Sequence, residues 1–207
     1  MSRSTSAPWA RALAGRCIAH AESWEGGSVL SRHLGTQAQR QVCGSLDAVH
    51  AAVAQGDCAM GLLPLESSQE GMVNRSHDLL FAGGVKVVGE LMHETTDGAS
   101  TPTFVRYGLI APTHHPSDGR DDRVMVAVVL PQRTGSLLDL LMPLAHRDIG
   151  IGHWCSRPAR VEGWHYRFHF TLCALADSED VQQALRDAAS HCSELRLLGR
   201  FRAAWSR

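Results

Sequence analysis

The segment "LLPLESSQEGMVNRSHDLLFAGGVKVVGEL" (residues 62–91) decides the fold of the first half of the chain. It runs from an apolar strand through Glu66-Ser67-Ser68 and a glycine turn into a helix predicted over 71–81. A second apolar strand then follows and includes Glu90. This alternation predicts an α/β fold with a mainly parallel sheet. Ligands of such sheets bind beyond the carboxyl ends of strands, which is where Glu66-Ser67-Ser68 falls.

The other residues of the first half repeat the alternation. A helix is expected near 27–34. A second is expected over 45–56, with Ser45 as its N-cap and Gly56 as its stop. The apolar stripe of that second helix is expected at Ala48, Val49, Ala52 and Val53. Strands are predicted at 17–21, 40–44, 58–65, 85–92 and 104–112.

A polar segment, "PTHHPSDGRDD" (112–122), predicts a linker between a first domain at 17–111 and a second at 123–202. The second domain has strand patterns at 123–130, 149–158, 163–175 and 194–201. Helical patterns lie after the first and third strands, and Ser178 is the expected cap of the later helix. This βαββαβ order is ferredoxin-like. It places both helices on one face of an antiparallel sheet and leaves the other face for a partner.

Composition and charge exclude several classes of function. The formal net charge is −1 and the sequence pI is about 6.9, so no basic excess favours nucleic acid or a membrane surface. No apolar stretch approaches the length of a membrane span. The polar and basic residues 1–16 are expected to form a disordered terminus, not a secretory signal. We therefore expect a cytoplasmic protein.

Cysteines and histidines indicate neither a metal site nor a cofactor. The six cysteines form no C-x-x-C pair, and most lie in apolar runs, so buried free thiols are expected. The twelve histidines are scattered, without an H-x-x-x-H or H-E-x-x-H spacing. The cysteines are Cys17, Cys43, Cys58, Cys155, Cys173 and Cys192.

Two groups of residues are candidates for ligand binding. Glu66, Ser67 and Ser68 place a carboxylate and two hydroxyls beside a helix start, a combination that binds carboxylates or phosphates. From these residues alone, a helix cap formed by the two serines is the favoured interpretation. Arg106 lies within an apolar strand, where an unpaired charge is costly. Either a ligand carboxylate or an internal ion pair with Glu66 or Glu90 would satisfy it.

The first half resembles the prephenate dehydratase family. In that family a Pro-Ile-Glu-Asn-Ser segment is followed by Gly, Val, Asn and then Asp-Leu-Leu. Residues 59–91 keep much of this order, and "FVRYGLI" (104–110) resembles the family's Thr-Arg-Phe strand. The resemblance implies catalytic roles for Glu66, Ser68 and Arg106, and substrate contacts from Ser67, Asn74 and Arg106. The kept positions are Pro64, Glu66, Ser68, Glu70, Gly71, Val73, Asn74, Asp78, Leu79, Leu80, Gly89 and Glu90.

The chain departs from that family in three ways. Only residues 93–104 separate the first lobe from the Arg106 strand, so a second catalytic lobe does not fit between them. "AHAESWEGGSV" (19–29) stands where the family has Gly-Pro-x-Gly-Thr. Val105 replaces the threonine whose hydroxyl the family uses near the leaving group, and valine has no proton to give. Thr103 is expected to face the same side and to substitute for it, while His93 or Glu94 is a further acid–base candidate.

The second half resembles the ACT domain that follows the catalytic domain in this family. "TGSLLDLLMPL" (134–144) is similar to its Gly-Ala-Leu helix start, and "CSRP" (155–158) to its Glu-Ser-Arg-Pro motif. Cys155 replaces the glutamate that contacts the amino group of phenylalanine, so phenylalanine binding of the usual kind is not implied. As a thiol, Cys155 is expected to be structural and not reactive. The ligand-binding residues implied are Gly135, Ser136, Leu137, Ser156, Arg157 and Pro158.

Together these features indicate a single-lobe remnant of the two-lobed, periplasmic-binding-protein-like prephenate dehydratase domain, followed by an ACT domain. The expected activity is a carbon–oxygen lyase reaction on a carboxylated cyclic or aromatic compound, in a specialised aromatic pathway. The alternatives are a non-catalytic sensing or assembly module and a conventional prephenate dehydratase. The expected partners are the substrate, an amino-acid effector at the ACT interface and a second copy of the chain.

Overall fold

The computed structural model describes residues 15–34, 38–95, 102–114, 119–159 and 165–204. The chain divides into two compact units, the first ending at Thr113 and the second beginning at His114. This boundary falls within 112–122, of which 115–118 lie outside the described residues. Most of the segment 1–16, expected to be disordered, also lies outside them. None of the described helices is long and apolar enough to cross a membrane.

The first unit contains six described strands and three α-helices. A short 3-10 turn, Ser23–Glu25, precedes the first helix. The strands are β1 (Cys17–Ala21), β2 (Gln39–Cys43), β3 (Met60–Ser67), β4 (Gly71–Met72), β5 (Lys86–Thr95) and β6 (Thr103–Ala111). The helices are α1 (Gly26–Leu34), α2 (Leu46–Ala54) and α3 (Asn74–Ala82).

The sheet of this unit is mixed, so the expectation of a mainly parallel sheet was wrong. The strand order is β2-β1-β3-β6-β5, with β4 paired to β3. Strands β2 and β3 run parallel to β1, as expected of βα units. Strand β6 instead lies between β3 and β5, antiparallel to both. Strands β5 and β6 are consecutive in the chain and pair directly, with Thr95 opposite Thr103, and consecutive strands that pair directly are typically antiparallel.

Helix α2 shows how the sequence specifies local structure. The Ser45 hydroxyl accepts a hydrogen bond from the Ala48 N–H at 3.1 Å, as the cap prediction required. The helix packs on the sheet where Gly61 has no side chain, and a methyl group there would lie 2.8 Å from Val53 Cγ2. Its buried residues are Leu46, Val49, Ala52 and Val53, so Leu46 takes the place predicted for Ala48.

The helical pattern had suggested that helix α3 begins at Gly71. In the structure the helix begins at Asn74. Gly71 has a left-handed backbone, with φ of 76°, and forms β4 with Met72. Strand β4 pairs antiparallel with β3, with Glu66 opposite Met72 and Ser67 opposite Gly71. The glycine turn therefore closes a small hairpin before the helix starts.

The second unit has the βαββαβ order expected from its sequence. Its strands are β7 (Arg123–Val129), β8 (Gly150–Ala159), β9 (His165–Cys173) and β10 (Glu194–Phe201), and its helices are α4 (Ser136–Ala145) and α5 (Glu179–Ala189). The strand order is β10-β7-β9-β8, and every pairing is antiparallel. Phe170 and Leu172 of β9 pack with Val181 of α5 in one buried core. The Ser178 hydroxyl caps α5 by accepting from the Val181 N–H at 3.3 Å.

The expectation that all six cysteines are free was wrong for two of them. Cys17 and Cys58 form a disulfide, with their Cα atoms 4.8 Å apart. Parallel pairing brings them together, because Ile18 of β1 stands opposite Met60 of β3. A sequence separation of 41 residues gives no sign of this contact. The free cysteines are Cys43, which is buried, and Cys155, Cys173 and Cys192, which are partly buried.

Candidate active site

Polar residues of the first unit gather at one end of its sheet. The carboxyl ends of β1, β3 and β5 lie there, together with the amino end of β6, because β6 and β5 alternate in direction. In the register, Val105 of β6 stands opposite Ser67 of β3 on one side and His93 of β5 on the other. The predicted strand-end location is therefore a real convergence of four strands.

Arg106 is paired internally with both glutamates that the sequence suggested. Its Nη1 donates to Glu90 Oε1 at 3.1 Å, and its Nε donates to Glu66 Oε2 at 3.3 Å. The arginine side chain is 3% exposed and that of Glu90 is 7% exposed, whereas that of Glu66 is 32% exposed. The cluster thus holds two carboxylates against one guanidinium, and Glu66 is the partner that reaches solvent.

The hydroxyls of Ser67 and Ser68 form hydrogen bonds with backbone N–H groups at this end of the sheet. Ser67 Oγ accepts from the Gln69 N–H at 3.2 Å and the Glu70 N–H at 3.4 Å, so it caps the hairpin turn. Ser68 Oγ accepts from the Phe104 N–H at 3.0 Å, and the Ser68 N–H donates to the Phe104 carbonyl at 2.8 Å. The helix-cap interpretation was therefore wrong: Ser67 caps the hairpin turn, and helix α3 has Val73 at its N-cap without a side-chain hydrogen bond.

The remaining predicted catalytic and binding residues divide between the two faces of the sheet. Side chains alternate along β6, so Thr103 and Val105 project to the face opposite that of Arg106. Val105 is buried on the α1 side, in a cluster with Val29 and Leu30. Asn74 is the first residue of α3, which follows β4 directly. Arg106 and Thr103 therefore share one end of the sheet but not one face.

A second polar cluster lies on the Val105 face, and the sequence did not point to its first member, Glu25. His93 is 5% exposed, and its Nε2 lies 3.4 Å from Glu25 Oε2. The ring of His33 stands edge-on to that of His93, with centroids 6.4 Å apart. Burial and the neighbouring His93 lower the pKa of His33 below its ordinary value. The pairing of Glu25 with His93 depends on strand register and a long sequence separation, which no local motif reports.

The Tyr107 hydroxyl anchors the segment that carries Glu25. It donates a hydrogen bond to the Trp24 carbonyl. Tyr107 is 1% exposed, and burial, with a smaller contribution from Glu25, raises the pKa of its phenol well above the usual value. Among the described residues, no group of three or more His, Cys, Asp or Glu could hold a metal ion.

The residues predicted to bind a ligand in the second unit lie at one end of its sheet. The end of β7 at Val129 stands in register with Arg167 of β9, and Arg167 stands opposite Arg157 of β8. Gly135 precedes α4 with a left-handed backbone, at a φ of 86°. The Ser136 hydroxyl donates to backbone carbonyls within the same loop, at 2.6 Å to Pro131 and 2.9 Å to Arg133. Leu137 is exposed, as are Ser156 and Pro158, while Arg157 is half-buried.

Comparisons with known proteins confirm the resemblance drawn from the first half of the sequence. Residues 26–97 match the family model described as prephenate dehydratase. The prephenate dehydratase of Mycobacterium sp. (strain KMS) is 33% identical over 96 residues, which are 46% of this chain and 30% of the relative. The chain thus spans about a third of the length of the curated relatives it matches.

Solved structures share the α/β fold. The prephenate dehydratase of Arthrobacter aurescens, solved in complex with L-Phe, superposes with a TM-score of 0.77 at 17% identity, covering 90% of each chain. A protein described as GqqA, a novel type of quorum quenching acylase, superposes with a TM-score of 0.78 at 19% identity, covering 91% of this chain and 95% of that one. At these identities the likeness is one of fold.

Proposed function

We propose that this chain, which carries a prephenate-dehydratase-type segment, is a diverged lyase of a specialised aromatic pathway. It eliminates water, with or without carbon dioxide, from a carboxylated cyclic compound. The observation that carries the proposal is the gathering of Glu66, Ser68, Thr103 and Arg106 at one sheet end, inside or beside the segment that matches the family.

In this proposal Arg106 binds the substrate carboxylate by exchanging one carboxylate partner for another. Glu66 is the partner that leaves, because its side chain is 32% exposed while that of Glu90 is 7% exposed. The guanidinium stays paired before and after the exchange, so no buried charge is stranded. Asn74, at the start of α3, orients the substrate in this proposal, whereas Ser67 is 5% exposed beside Val105 and holds the hairpin turn.

The second unit is proposed to be an ACT domain that brings two chains together. Large apolar side chains are exposed on α4 and on the edge strand β8, with Leu138 62% exposed and Trp154 61% exposed. A second copy docked on this surface would bury them and complete an amino-acid site around Gly135 and Arg157. Sedimentation equilibrium tests this. Trp154→Ser should yield monomers, whereas Val42→Ser, which changes a residue 61% exposed in the first unit, should not.

The test of the lyase proposal is turnover of prephenate, followed as the appearance of phenylpyruvate. Wild-type protein and the surface variant Arg75→Ala should both convert prephenate, and Arg106→Ala should not bind it. A conventional dehydratase mechanism predicts in addition that Thr103→Val abolishes turnover. Absence of an aromatic product from prephenate and from a panel of related cyclohexadiene carboxylates, with folded protein, refutes the lyase proposal.

A sensing module is the second candidate, and the βαββαβ fold of the second unit favours it. The Arthrobacter aurescens relative was solved with L-Phe, so phenylalanine is the first probe. A rise in melting temperature with phenylalanine, in a protein without turnover, supports the sensor. Arg157→Ala should remove that rise.

Acyl-group hydrolysis is a competing reaction class because the fold matches nearly the whole length of the described acylase. Release of an amine from an N-acyl probe, without aromatisation of prephenate, would favour that reaction over elimination.

A further inference from the structure

The segment Trp24-Glu25 has an unusual backbone for residues other than glycine. Trp24 has φ of 71° and Glu25 has φ of 51°, both in the left-handed region. Such a residue costs on the order of 1–3 kcal/mol and persists only when its surroundings hold it. The Tyr107 hydroxyl binds the Trp24 carbonyl, and His93 binds the Glu25 carboxylate. The fold therefore holds the Glu25 side chain in a fixed place.

The pair formed by Glu25 and His93 has one member in solvent and one in the core. The Glu25 side chain is 46% exposed and that of His93 is 6% exposed. Nδ1 of His93 is buried without a hydrogen-bond partner among the described residues. A buried polar atom in that condition costs about 1–3 kcal/mol, and such atoms in native proteins call for an explanation. A residue that only fills space in the core does not need an imidazole paired with a carboxylate. Packing alone therefore does not explain the pairing of His93 with Glu25.

The pair lies beside the position where the hydroxyl expected for elimination is missing. His93 stands directly opposite Val105 across β5 and β6, and both residues lie on the α1 face of the sheet. Glu25 immediately precedes the first residue of α1. Two groups that can carry a proton, Glu25 and His93, thus lie on the same face as the valine that carries none.

We infer that Glu25 is the catalytic acid of the proposed elimination and that His93 is the positioning residue behind it. This inference rests on the proposed lyase function and assigns the proton-transfer step within it. With prephenate, the bond to the ring carboxylate breaks and carbon dioxide leaves. The electron pair enters the ring, the carbon–hydroxyl bond breaks, and one proton held by the Glu25–His93 pair makes the leaving group water. The pair then recovers its proton from solvent.

The experiment compares Glu25→Gln with Glu22→Gln under prephenate turnover. Glu22 is the matched control because it is an exposed glutamate of the same segment. Loss of a general acid typically costs between about 100-fold and 10,000-fold in rate, so Glu25→Gln should lower kcat by at least about 100-fold. Its KM should stay within about twofold and its melting temperature should not change, because only the proton transfer is lost. Glu22→Gln should behave as wild type.

Chemical rescue separates proton transfer from a structural role. Formate added to Glu25→Ala should restore part of the lost kcat, and formate should not affect Glu22→Ala. His93→Gln should lower kcat less than Glu25→Gln does. Equal kcat for Glu25→Gln and Glu22→Gln overturns the role of Glu25 and leaves the lyase proposal intact. A fall in kcat that tracks a fall in melting temperature and resists formate also overturns it. Absence of wild-type turnover with prephenate and with the panel of related cyclohexadiene carboxylates refutes the lyase proposal itself, and the role of Glu25 falls with it.

Discussion

Replacing Arg106 by alanine should destabilise the first unit strongly. The guanidinium is 3% exposed and pairs with Glu90 at 3.1 Å and Glu66 at 3.3 Å. The change removes the guanidinium that pairs with the buried Glu90 carboxylate, while Glu66 can turn to water. Removal of one partner from a buried ion pair costs about 3–5 kcal/mol. We therefore expect the free energy of unfolding of this unit to fall by about 4 kcal/mol.

Urea denaturation followed by circular dichroism measures this loss. With a slope of about 2 kcal/mol/M, the midpoint should fall by about 2 M. Hydrogen–deuterium exchange of β3, β5 and β6 assigns the loss to the first unit. Arg75→Ala is the control because Arg75 pairs with Asp47 at the surface, with side chains 47% and 51% exposed, and its midpoint should not move.

A double variant tests the assigned cause. If loss of the Arg106–Glu90 ion pair is the reason for the lower stability, then Arg106→Met combined with Glu90→Gln should recover much of the lost stability. A fall below about 1 kcal/mol in Arg106→Ala would match an exposed ion pair and would refute the buried cluster. It would also remove the ground for the exchange of Glu66 with a substrate carboxylate.

Three further outcomes follow from the first unit. Thiol titration of the unfolded chain should find four free thiols before reduction and six after it. Breaking the Cys17–Cys58 link, which spans 41 residues, should cost about 4 kcal/mol in a urea titration; six thiols before reduction would contradict the link. The raised pKa of Tyr107 contributes stability that is fully present below the unfolded pKa of about 10 and is lost as pH rises above it. Tyr107→Phe should lack that alkaline slope, and an equal slope in both proteins would contradict the burial. Gly61→Ala places a methyl group 2.8 Å from Val53 Cγ2 and should cost about 1–3 kcal/mol in the same titration. An unchanged midpoint would show that α2 is not held tightly against β3.

Local sequence patterns predicted most helices and strands well, because helix caps and side-chain periodicity depend on residues that are close together in the chain. Ser45 and Ser178 cap helices as expected, since a hydroxyl at that position meets the free N–H groups of the first turn. The βαββαβ order of the second unit followed from period-2 and helical patterns separated by turns. The start of α3 was placed too early because Gly71 serves a hairpin and not a helix. A helical pattern alone does not report that pairing.

Features that depend on long-range register were not accessible from the sequence. No local pattern specifies that strand β6 lies between β3 and β5. That position determines which residues come together in the Arg106 cluster and in the Glu25–His93 cluster. The register places Arg106 opposite Glu66, and Glu90 extends from β5 on the same face. The same register places His93 beside Val105 on the other face. The energetic cost of burying an unpaired charge nevertheless limited the predicted partners of Arg106. A buried guanidinium needs a carboxylate, and the motif contains few of them.

The alternation of β6 also limits how a substrate can sit. Residues 105 and 106 point to opposite faces, so one ligand touches groups from both only by lying across the end of the sheet. Glu66 and Glu25 are the members of the two clusters that reach solvent, at 32% and 46% exposure. A carboxylate that displaces Glu66 would lie on the Arg106 side, and a hydroxyl that takes a proton would lie on the Glu25 side. A cyclic substrate with its carboxylate and its hydroxyl at opposite ends of the ring could reach both clusters at once. A substrate that carries the two groups on adjacent atoms fits this arrangement less well.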